Sequence, residues 1–271
     1  MIVKGKQIAE NILDRLKKRI EQGRLKLDLA AILVGDDPEF KKFVELKGRA
    51  AEKIGIGFRM FQFAEDIDEK ELIRKILVIC KNSNGILVEL PLPAHMDQQA
   101  ILDAIPAEKD VDVLSVSAQG SFYSGSSRIM PPSAEALKIL FEELELGVKN
   151  KKVAVFGYGL LIGKPIAYWL ERNGAEVSII RSKTENPAQY SRDADIVIAG
   201  VGKPGLITGD MVKQGAVIID YGYGKKDCKM VGDVDFDSVS PKAGLITPVP
   251  GGMGPILIAA VLNNLITLNE K

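Results

Sequence analysis

The chain has 271 residues, of which 46% are hydrophobic, and its 36 basic and 36 acidic side chains cancel at neutral pH. That length and apolar content suit one large domain or two modest ones, and we expect two. A balanced charge lacks the long-range field that binders of nucleic acid or of anionic membranes use. We therefore expect small molecules or further subunits as partners, with no nucleic acid and no membrane.

Cysteine and histidine are scarce in this chain. Cys80, Cys228 and the single histidine, His95, supply neither a disulfide framework nor a zinc ligand set, so we expect no metal. We interpret His95 as an ordinary loop residue. No apolar segment of about 18 residues occurs, which argues against secretion and membrane spanning and favours a cytoplasmic location.

The first half of the chain predicts alternating helices and strands. Helical spacing of apolar residues over 6–24 precedes a buried strand (LDLAAILVG), a helix from Glu39 to Lys53 and a second strand (IGFRMFQF). A helix over DEKELIRKILVICKN and a third strand (GILVELPLP) continue the alternation, which is typical of a parallel sheet. The segment SAEALKILFEELEL predicts a helix opened by Ser133, and we place a domain boundary near Leu146.

The second half predicts a doubly wound, Rossmann-type sheet. The strands KKVAVFG, AEVSII, DADIVIAG and AVIIDYG leave room between them for crossover helices or turns. We therefore predict an α/β protein with two domains, residues 1–146 and 147–254. The final helix, 255–271, is apolar on several faces, and we expect it to complete the first domain or to contact another subunit.

The first strand of this second half runs directly into a glycine turn. Gly157, Tyr158 and Gly159 form the turn, and Gly163 and Pro165 open the helix that follows. Such glycines let the backbone approach a pyrophosphate, which free N–H groups at the helix N-terminus then bind. The spacing is one residue longer than the common fingerprint, so the strand, turn and helix context carries the prediction.

The end of the next strand predicts which dinucleotide is bound. A site for NAD normally presents an acidic side chain to the ribose there, whereas this chain has Arg181, Ser182 and Lys183. Arg181 and Lys183 can neutralise a ribose 2′-phosphate, which favours NADP over NAD, and a solvated basic turn is the alternative. Gly202, after the strand IVIA, could bring backbone against the nicotinamide side or could form a simple tight turn.

One helix of the first half carries an aromatic ring and an amine on the same face. Phe43 and Lys47 are four residues apart. A ring beside an amine suits stacking on a flat heterocycle with proton transfer next to it, although a core phenylalanine and a surface lysine would have the same spacing.

Taken in order, the segments resemble one enzyme family. They are VGDDP, the helix with Phe43 and Lys47, GILVELPLP, KDVD, the glycine turn, ADIVIAGVGKPG, GDVDF and TPVPGGMGP. This series resembles the bifunctional methylenetetrahydrofolate dehydrogenase/methenyltetrahydrofolate cyclohydrolase family over almost the whole chain. The resemblance implies NADP-dependent oxidation of methylenetetrahydrofolate, hydrolysis of the methenyl product to formyltetrahydrofolate, and a place in one-carbon metabolism and purine biosynthesis. It also implies a homodimer and a cleft between the folate-binding and NADP-binding domains.

The resemblance implies roles for individual residues as well. Lys47 matches the family's catalytic lysine, the proton shuttle for hydrolysis of the methenyl bridge. Asp112 matches the aspartate that binds the pterin ring, and a carboxylate can accept paired N–H bonds from an aminopyrimidinone. Pro250, Gly251 and Gly252 match a segment that lines the folate cleft, and a rigid loop is the alternative.

Several matched positions depart from the family's pattern: Phe43 for tyrosine, Glu89 for glutamine, Val113 for glycine, Tyr158 for arginine and Gly159 for serine. We place Glu89 with Lys47 in the catalytic site, where a carboxylate would favour the lysine's ammonium form and weaken hydrolysis more than hydride transfer. Because the usual phosphate-binding arginine is missing, we expect Arg181, which stands where the family commonly has a histidine, to contact the 2′-phosphate.

Three alternatives remain open at the level of sequence. The substitutions at Phe43 and Glu89 would suit a dehydrogenase without cyclohydrolase activity, or a non-catalytic paralogue that binds folate and dinucleotide. Lys47 and Asp112 argue against the loss of catalysis. A dehydrogenase for an unrelated small substrate is the third alternative, and the PVPGG and LPLP segments argue against it.

Overall fold

A computed structural model describes residues 1–226 and 229–270, so Cys228 and Lys271, the last residue of the expected final helix, lie outside the described residues. The chain forms two compact units. The C-terminal unit comprises Met1–Ala9 and Ser133–Leu257, and the N-terminal unit comprises Glu10–Pro132 and the chain from Ile258 onward. The C-terminal unit thus begins before the boundary near Leu146 that the sequence predicts.

The N-terminal unit contains a three-stranded parallel sheet in the order β2-β1-β3. Its strands are β1 (Asp28–Val34), β2 (Gly57–Phe63) and β3 (Gly85–Val88). Six of the seven residues of β1 and all four of β3 are buried, as expected for strands covered on both faces. The helices between residues 5 and 124 are α1 (Gly5–Gly23), α2 (Pro38–Lys53), α3 (Glu69–Lys81), α4 (Gln98–Asp103) and α5 (Val116–Ser124).

Local sequence explains where α2 begins and how closely it packs. The Asp37 side chain accepts a hydrogen bond from the backbone at the helix start, and Pro38 occupies the first position, where its missing N–H costs nothing. A Cβ atom on Gly48 would lie 2.5 Å from a ring carbon of Phe58 on β2. The glycine therefore lets α2 approach β2 closely, which fixes the helix that carries Lys47.

The C-terminal unit contains a five-stranded parallel sheet in the order β10-β7-β6-β4-β5. The elements from residue 132 onward are α6 (Pro132–Glu143), β4 (Lys152–Phe156), α7 (Gly163–Arg172), β5 (Glu176–Ile180), α8 (Ala188–Ser191), β6 (Ile196–Ala199), a 3₁₀ turn (Gly209–Met211), β7 (Val217–Asp220), β8 (Gly224–Lys226), β9 (Lys229–Val231), α9 (Phe236–Val239), β10 (Leu245–Ile246) and α10 (Met253–Asn269). Strand β5 lies on one side of β4 and β6 on the other, so the winding direction reverses between β4 and β6. This arrangement confirms the predicted α/β, Rossmann-type fold.

The first residues of the chain extend this sheet by a short contact. The N–H group of Val3 donates to the Ile246 carbonyl at 2.9 Å, and the N–H group of Ile246 donates to the Met1 carbonyl at 2.9 Å. Ile2 and Ile246 form an isolated parallel bridge. The outer edge of β10 is therefore paired.

Two predicted elements form, but each differs from the prediction at one end. The helix assigned to Ser133 as its opening residue begins at Pro132, a favoured first position, and the Ser133 hydroxyl donates to the Leu161 carbonyl at 2.5 Å instead of capping. The strand predicted over GILVELPLP ends at Val88, because the two prolines that follow cannot donate to a sheet ladder.

The second part of α10 packs within the N-terminal unit. The Asn264 side chain donates to the Val111 carbonyl at 2.9 Å and to the Met130 carbonyl at 2.7 Å. A Cβ atom on Gly85 would lie 2.5 Å from a methyl group of Leu265. Among the described residues, no helix has the length and apolar character needed to cross a bilayer.

Candidate functional site

One edge of the N-terminal sheet gathers the residues predicted to be catalytic. Glu89 directly follows β3. The segment containing Asp110 runs parallel to β3, because the N–H group of Ile86 donates to the Lys109 carbonyl at 2.8 Å and Val111 returns a bond to the Ile86 carbonyl at 3.4 Å. Asp112 thus comes to the same edge as Glu89.

Lys47 and Glu89 form an ion pair. Lys47 Nζ lies 2.6 Å from Glu89 Oε2, and their side chains are only 19% and 12% exposed. Phe43 is half-buried one turn earlier on α2. An ion pair between partly buried side chains is stronger than an exposed one, so a short hydrogen bond holds the Lys47 side chain against Glu89.

The Asp112 carboxyl is poised to change its charge near neutral pH. Burial raises the pKa of Asp112 to about 7, and although the positive charge of Lys47 lowers it, the carboxylates of Asp110 and Glu89 raise it further. Asp112 can therefore be either an acceptor for paired N–H groups or a neutral acid close to pH 7.

Asp110, which the sequence analysis did not single out, shapes the loop around Asp112. Its buried carboxylate accepts bonds from the N–H groups of Leu114 at 2.9 Å and Ser115 at 2.7 Å, although burial still raises its pKa. The loop turns at Val113, whose φ of +57° is in the left-handed region that favours glycine. The substitution of the family's glycine by Val113 thus places a β-branched residue in a strained conformation.

The glycine turn of the C-terminal unit brings two stretches of its own backbone close together. Gly157 has a φ of +94°, and a Cβ atom on Gly163 would collide with the Gly157 carbonyl oxygen. Helix α7 begins at Gly163 with no side-chain cap, and Pro165 is buried in its first turn. A Cβ atom on Gly159 would meet open space. Uncapped N–H groups at the start of a helix suit a phosphate group.

The basic end of β5 is joined to the glycine turn by a cation–π contact. The guanidinium carbon of Arg181 lies 4.5 Å from the centroid of the Tyr158 ring. Arg181, Ser182 and Lys183 are exposed, and the backbone N–H group of Arg181 donates to Thr184 Oγ1 at 2.9 Å. Tyr158, which replaces the family's arginine, therefore holds an arginine supplied by the neighbouring strand.

The loop after β6 lies beside the glycine turn, where the winding of the sheet reverses. Gly202 has a φ of +76°, as a tight turn requires. Its N–H group donates to Asp233 Oδ2 at 3.1 Å. Asp233 lies in the GDVDF segment, and the sequence does not predict its role, because an acceptor of distant backbone groups leaves no local pattern.

The PVPGG segment forms the turn before α10. Gly251 has a φ of +100°, and the Gly252 N–H group donates to the Pro248 carbonyl at 2.8 Å. Pro250, Gly251 and Gly252 belong to the C-terminal unit, whereas Lys47 and the other predicted catalytic residues belong to the N-terminal unit.

Comparison with known families decides what this arrangement belongs to. Residues 3–112 match the model of the tetrahydrofolate dehydrogenase/cyclohydrolase catalytic domain, and residues 131–271 match the model of the NAD(P)-binding domain of the same enzymes. The chain belongs to the tetrahydrofolate dehydrogenase/cyclohydrolase family. This confirms the family that the sequence motifs predict, and it weighs against a dehydrogenase for an unrelated substrate.

Relatives and solved structures match over nearly the full length. The chain is 43% identical to the bifunctional protein FolD of Nautilia profundicola, covering 98% of this chain and 95% of that protein. It is similar to the bifunctional FolD enzyme of Campylobacter jejuni, with a TM-score of 0.95 and 34% identity over 99% of this chain and 98% of that chain. The FolD of Trypanosoma brucei, solved with NADP and an inhibitor, has a TM-score of 0.93 and 30% identity over 99% and 96%.

Proposed function

We propose that this chain oxidises methylenetetrahydrofolate to methenyltetrahydrofolate with NADP and hydrolyses that product to formyltetrahydrofolate. The observation that carries the proposal is the grouping of Lys47, Glu89 and Asp112 at one sheet edge. We further propose that the protein acts in the cytoplasm as a homodimer, within the one-carbon metabolism that supplies purine biosynthesis, and without a metal ion. Sedimentation of the purified protein tests the dimer.

Oxidation requires the protein mainly to orient its substrate. NADP, when bound, supplies the hydride acceptor. Ionised Asp112 would accept paired N–H bonds from the pterin ring, and Phe43 would offer an aromatic face. No protein nucleophile is needed for this step, so the substitutions at Phe43 and Glu89 affect it little.

Hydrolysis makes a stronger demand on Lys47. A water molecule must lose a proton as it attacks the methenyl bridge, and an ammonium group cannot accept one. Lys47 can accept that proton only after leaving the bond that it donates to Glu89 Oε2 at 2.6 Å. The same contact favours a second candidate, a dehydrogenase whose ion pair suppresses hydrolysis.

Two assays separate these candidates. Purified protein is given methylenetetrahydrofolate with NADP or NAD, and formation of the reduced dinucleotide is followed by absorbance. The decay of added methenyltetrahydrofolate is then compared with the uncatalysed rate. Both activities support the bifunctional enzyme, and oxidation alone supports the dehydrogenase. Absence of both would refute the proposal in favour of a binding paralogue.

The residues around the glycine turn fit NADP. The pyrophosphate would be bound by the turn and the helix start, which comprise Gly157, Tyr158, Gly159, Gly163 and Pro165. The 2′-phosphate would be bound by Arg181 and Ser182. Replacement of Arg181 by alanine should cut the preference for NADP over NAD by tenfold or more, since a hydrogen bond to a charged group contributes about 1.5–3 kcal/mol. Arg172→Ala is the charge-matched control, because Arg172 lies at the C-terminal end of α7, away from the glycine turn. An unchanged preference in Arg181→Ala would refute this role.

A further inference from the structure

Two buried carboxylates of the C-terminal unit have no part in the chemistry proposed so far. Asp233 is 0% exposed and Asp220 is 3% exposed. A buried charge is costly unless hydrogen bonds replace its lost hydration. Both side chains obtain those bonds from backbone N–H groups, so the segments that donate them indicate what the two residues hold in place.

Asp233 binds three successive N–H groups of the loop after β6. Its Oδ2 atom accepts from Val201 at 2.5 Å and from Gly202 at 3.1 Å, and its Oδ1 atom accepts from Lys203 at 2.6 Å. Three consecutive residues of the loop are therefore held by one side chain.

This loop is in contact with the glycine turn. A Cβ atom on Gly157 would lie 3.2 Å from the Gly200 carbonyl oxygen and 3.2 Å from a methyl group of Val201. A Cβ atom on Gly200 would lie 2.5 Å from a methyl group of Ile162, the residue before α7. Movement of the loop would therefore displace the turn at the point where the sheet reverses its winding, which is where such folds bind their ligands.

Asp220 holds Asp233 in turn. Asp220 Oδ1 accepts from the N–H groups of Gly222 at 2.7 Å and Asp233 at 3.1 Å, and Oδ2 accepts from Val234 at 2.9 Å. A Cβ atom on Gly222 would collide with the Asp233 carboxyl group, and one on Gly232 would collide with that of Asp220. The two glycines leave the space that the carboxylates fill.

We propose that Asp233 is a positioning residue of the dinucleotide site. Asp233 holds the loop 200–203 against the glycine turn, and Asp220 holds the backbone of Asp233 in place. Because Asp233 occupies the N–H groups of Val201, Gly202 and Lys203, the loop offers a ligand only carbonyl oxygens and side chains. That chemistry suits the uncharged carboxamide of a nicotinamide and leaves the phosphates to the glycine turn. The role rests on the proposed binding of NADP.

Hydrogen exchange in the unmodified protein is the first test. The amides of residues 201–203 should exchange slowly without any ligand, at least tenfold more slowly than exposed loop amides such as that of Lys183. Exchange at ordinary loop rates would show that Asp233 does not hold the loop, and would overturn the proposal without any variant that has to fold.

The second test compares Asp233→Asn with Asp237→Asn, an exposed aspartate on α9. The carboxamide introduced by Asp233→Asn would turn an NH₂ group toward a backbone donor, so we expect the dissociation constant for NADP to rise at least tenfold by calorimetry, well below the unfolding temperature. Hydrolysis of methenyltetrahydrofolate, which uses no dinucleotide, should be retained, and Asp237→Asn should match the wild type. A folded Asp233→Asn protein with wild-type NADP affinity would overturn the proposal.

A milder variant covers the case in which Asp233→Asn fails to fold. Thr247 Oγ1 accepts the Asp220 N–H group at 2.7 Å, and Thr247→Val removes that acceptor while keeping the shape of the side chain. We expect faster exchange at 201–203 and a several-fold weaker affinity for NADP, and wild-type values of both would overturn the proposal. Lack of NADP binding by the wild type would instead refute the proposed function itself, whatever the exchange of the loop.

Discussion

Replacement of Glu89 by glutamine should raise the cyclohydrolase rate more than the dehydrogenase rate. The 2.6 Å contact joins two charges that are mostly withdrawn from water, whereas glutamine would leave a neutral hydrogen bond. Hydrogen bonds to charged groups contribute about 1.5–3 kcal/mol and neutral ones about 0.5–1.5 kcal/mol. Because Lys47 must leave this bond to act on water, a bond weaker by about 1.4 kcal/mol corresponds to a hydrolysis rate up to about tenfold higher.

The assay measures decay of methenyltetrahydrofolate at pH 7, corrected for the uncatalysed rate, and formation of NADPH in the same preparation. Glu45→Gln, an exposed residue on α2, is the matched control. We expect less than about a twofold change in oxidation, which involves no proton transfer to Lys47. A fall in hydrolysis by Glu89→Gln would refute the reasoning, because it would show that Glu89 accepts a proton during the reaction and does not restrain Lys47.

Three further predictions concern the N-terminal unit. Since burial raises the pKa of Asp112 to about 7, the KM for methylenetetrahydrofolate should be roughly tenfold higher at pH 6 than its limiting value at high pH. Asp112→Asn should abolish that dependence, and a flat KM in the wild type would contradict it. The same raised pKa means that the folded state binds more protons than the unfolded state between about pH 4 and pH 7, so stability falls as pH rises across that window. In calorimetry, Asp112→Asn should therefore raise the unfolding temperature more at pH 8 than at pH 4. Equal shifts at the two pH values would count against this reasoning. Gly48→Ala should lower the free energy of unfolding in urea by about 1–3 kcal/mol, despite the better helix propensity of alanine, because its methyl group would lie 2.5 Å from the Phe58 ring; a gain in stability would contradict that packing.

The sequence predicts those parts of the fold that local pattern determines. The buried strands β1, β3, β6 and β7 are apolar runs, and the glycines after the strand KKVAVF predict a tight turn. The structure then shows the crowding at Gly157 and Gly163 that excludes a side chain there. The proximity of Lys47 to Glu89 depends on tertiary structure, and it was expected only because family resemblance placed both residues in one site. Their contact at 2.6 Å then comes from the structure.

The side chains whose roles the sequence did not predict bind main-chain groups. Asp233 and Asp110 accept bonds from main-chain N–H groups, and any residue can supply such a group, so no pairing of residue types reveals them. The capping role expected of Ser133 was wrong because its hydroxyl bonds to the distant Leu161 carbonyl. Strand β10 has only two residues, which is too short for periodicity to indicate it.

The pairing of residues 1–3 with β10 bears on how the nucleotide-binding half can be produced as a fragment. A fragment that begins at residue 131, where the NAD(P)-binding family match starts, would lack the strand partner of Ile246. Its sheet would end in an uncovered row of amide and carbonyl groups, which is a template for intermolecular pairing. Fusing residues 1–9 ahead of such a fragment through a flexible linker would restore the missing partner and should reduce its aggregation.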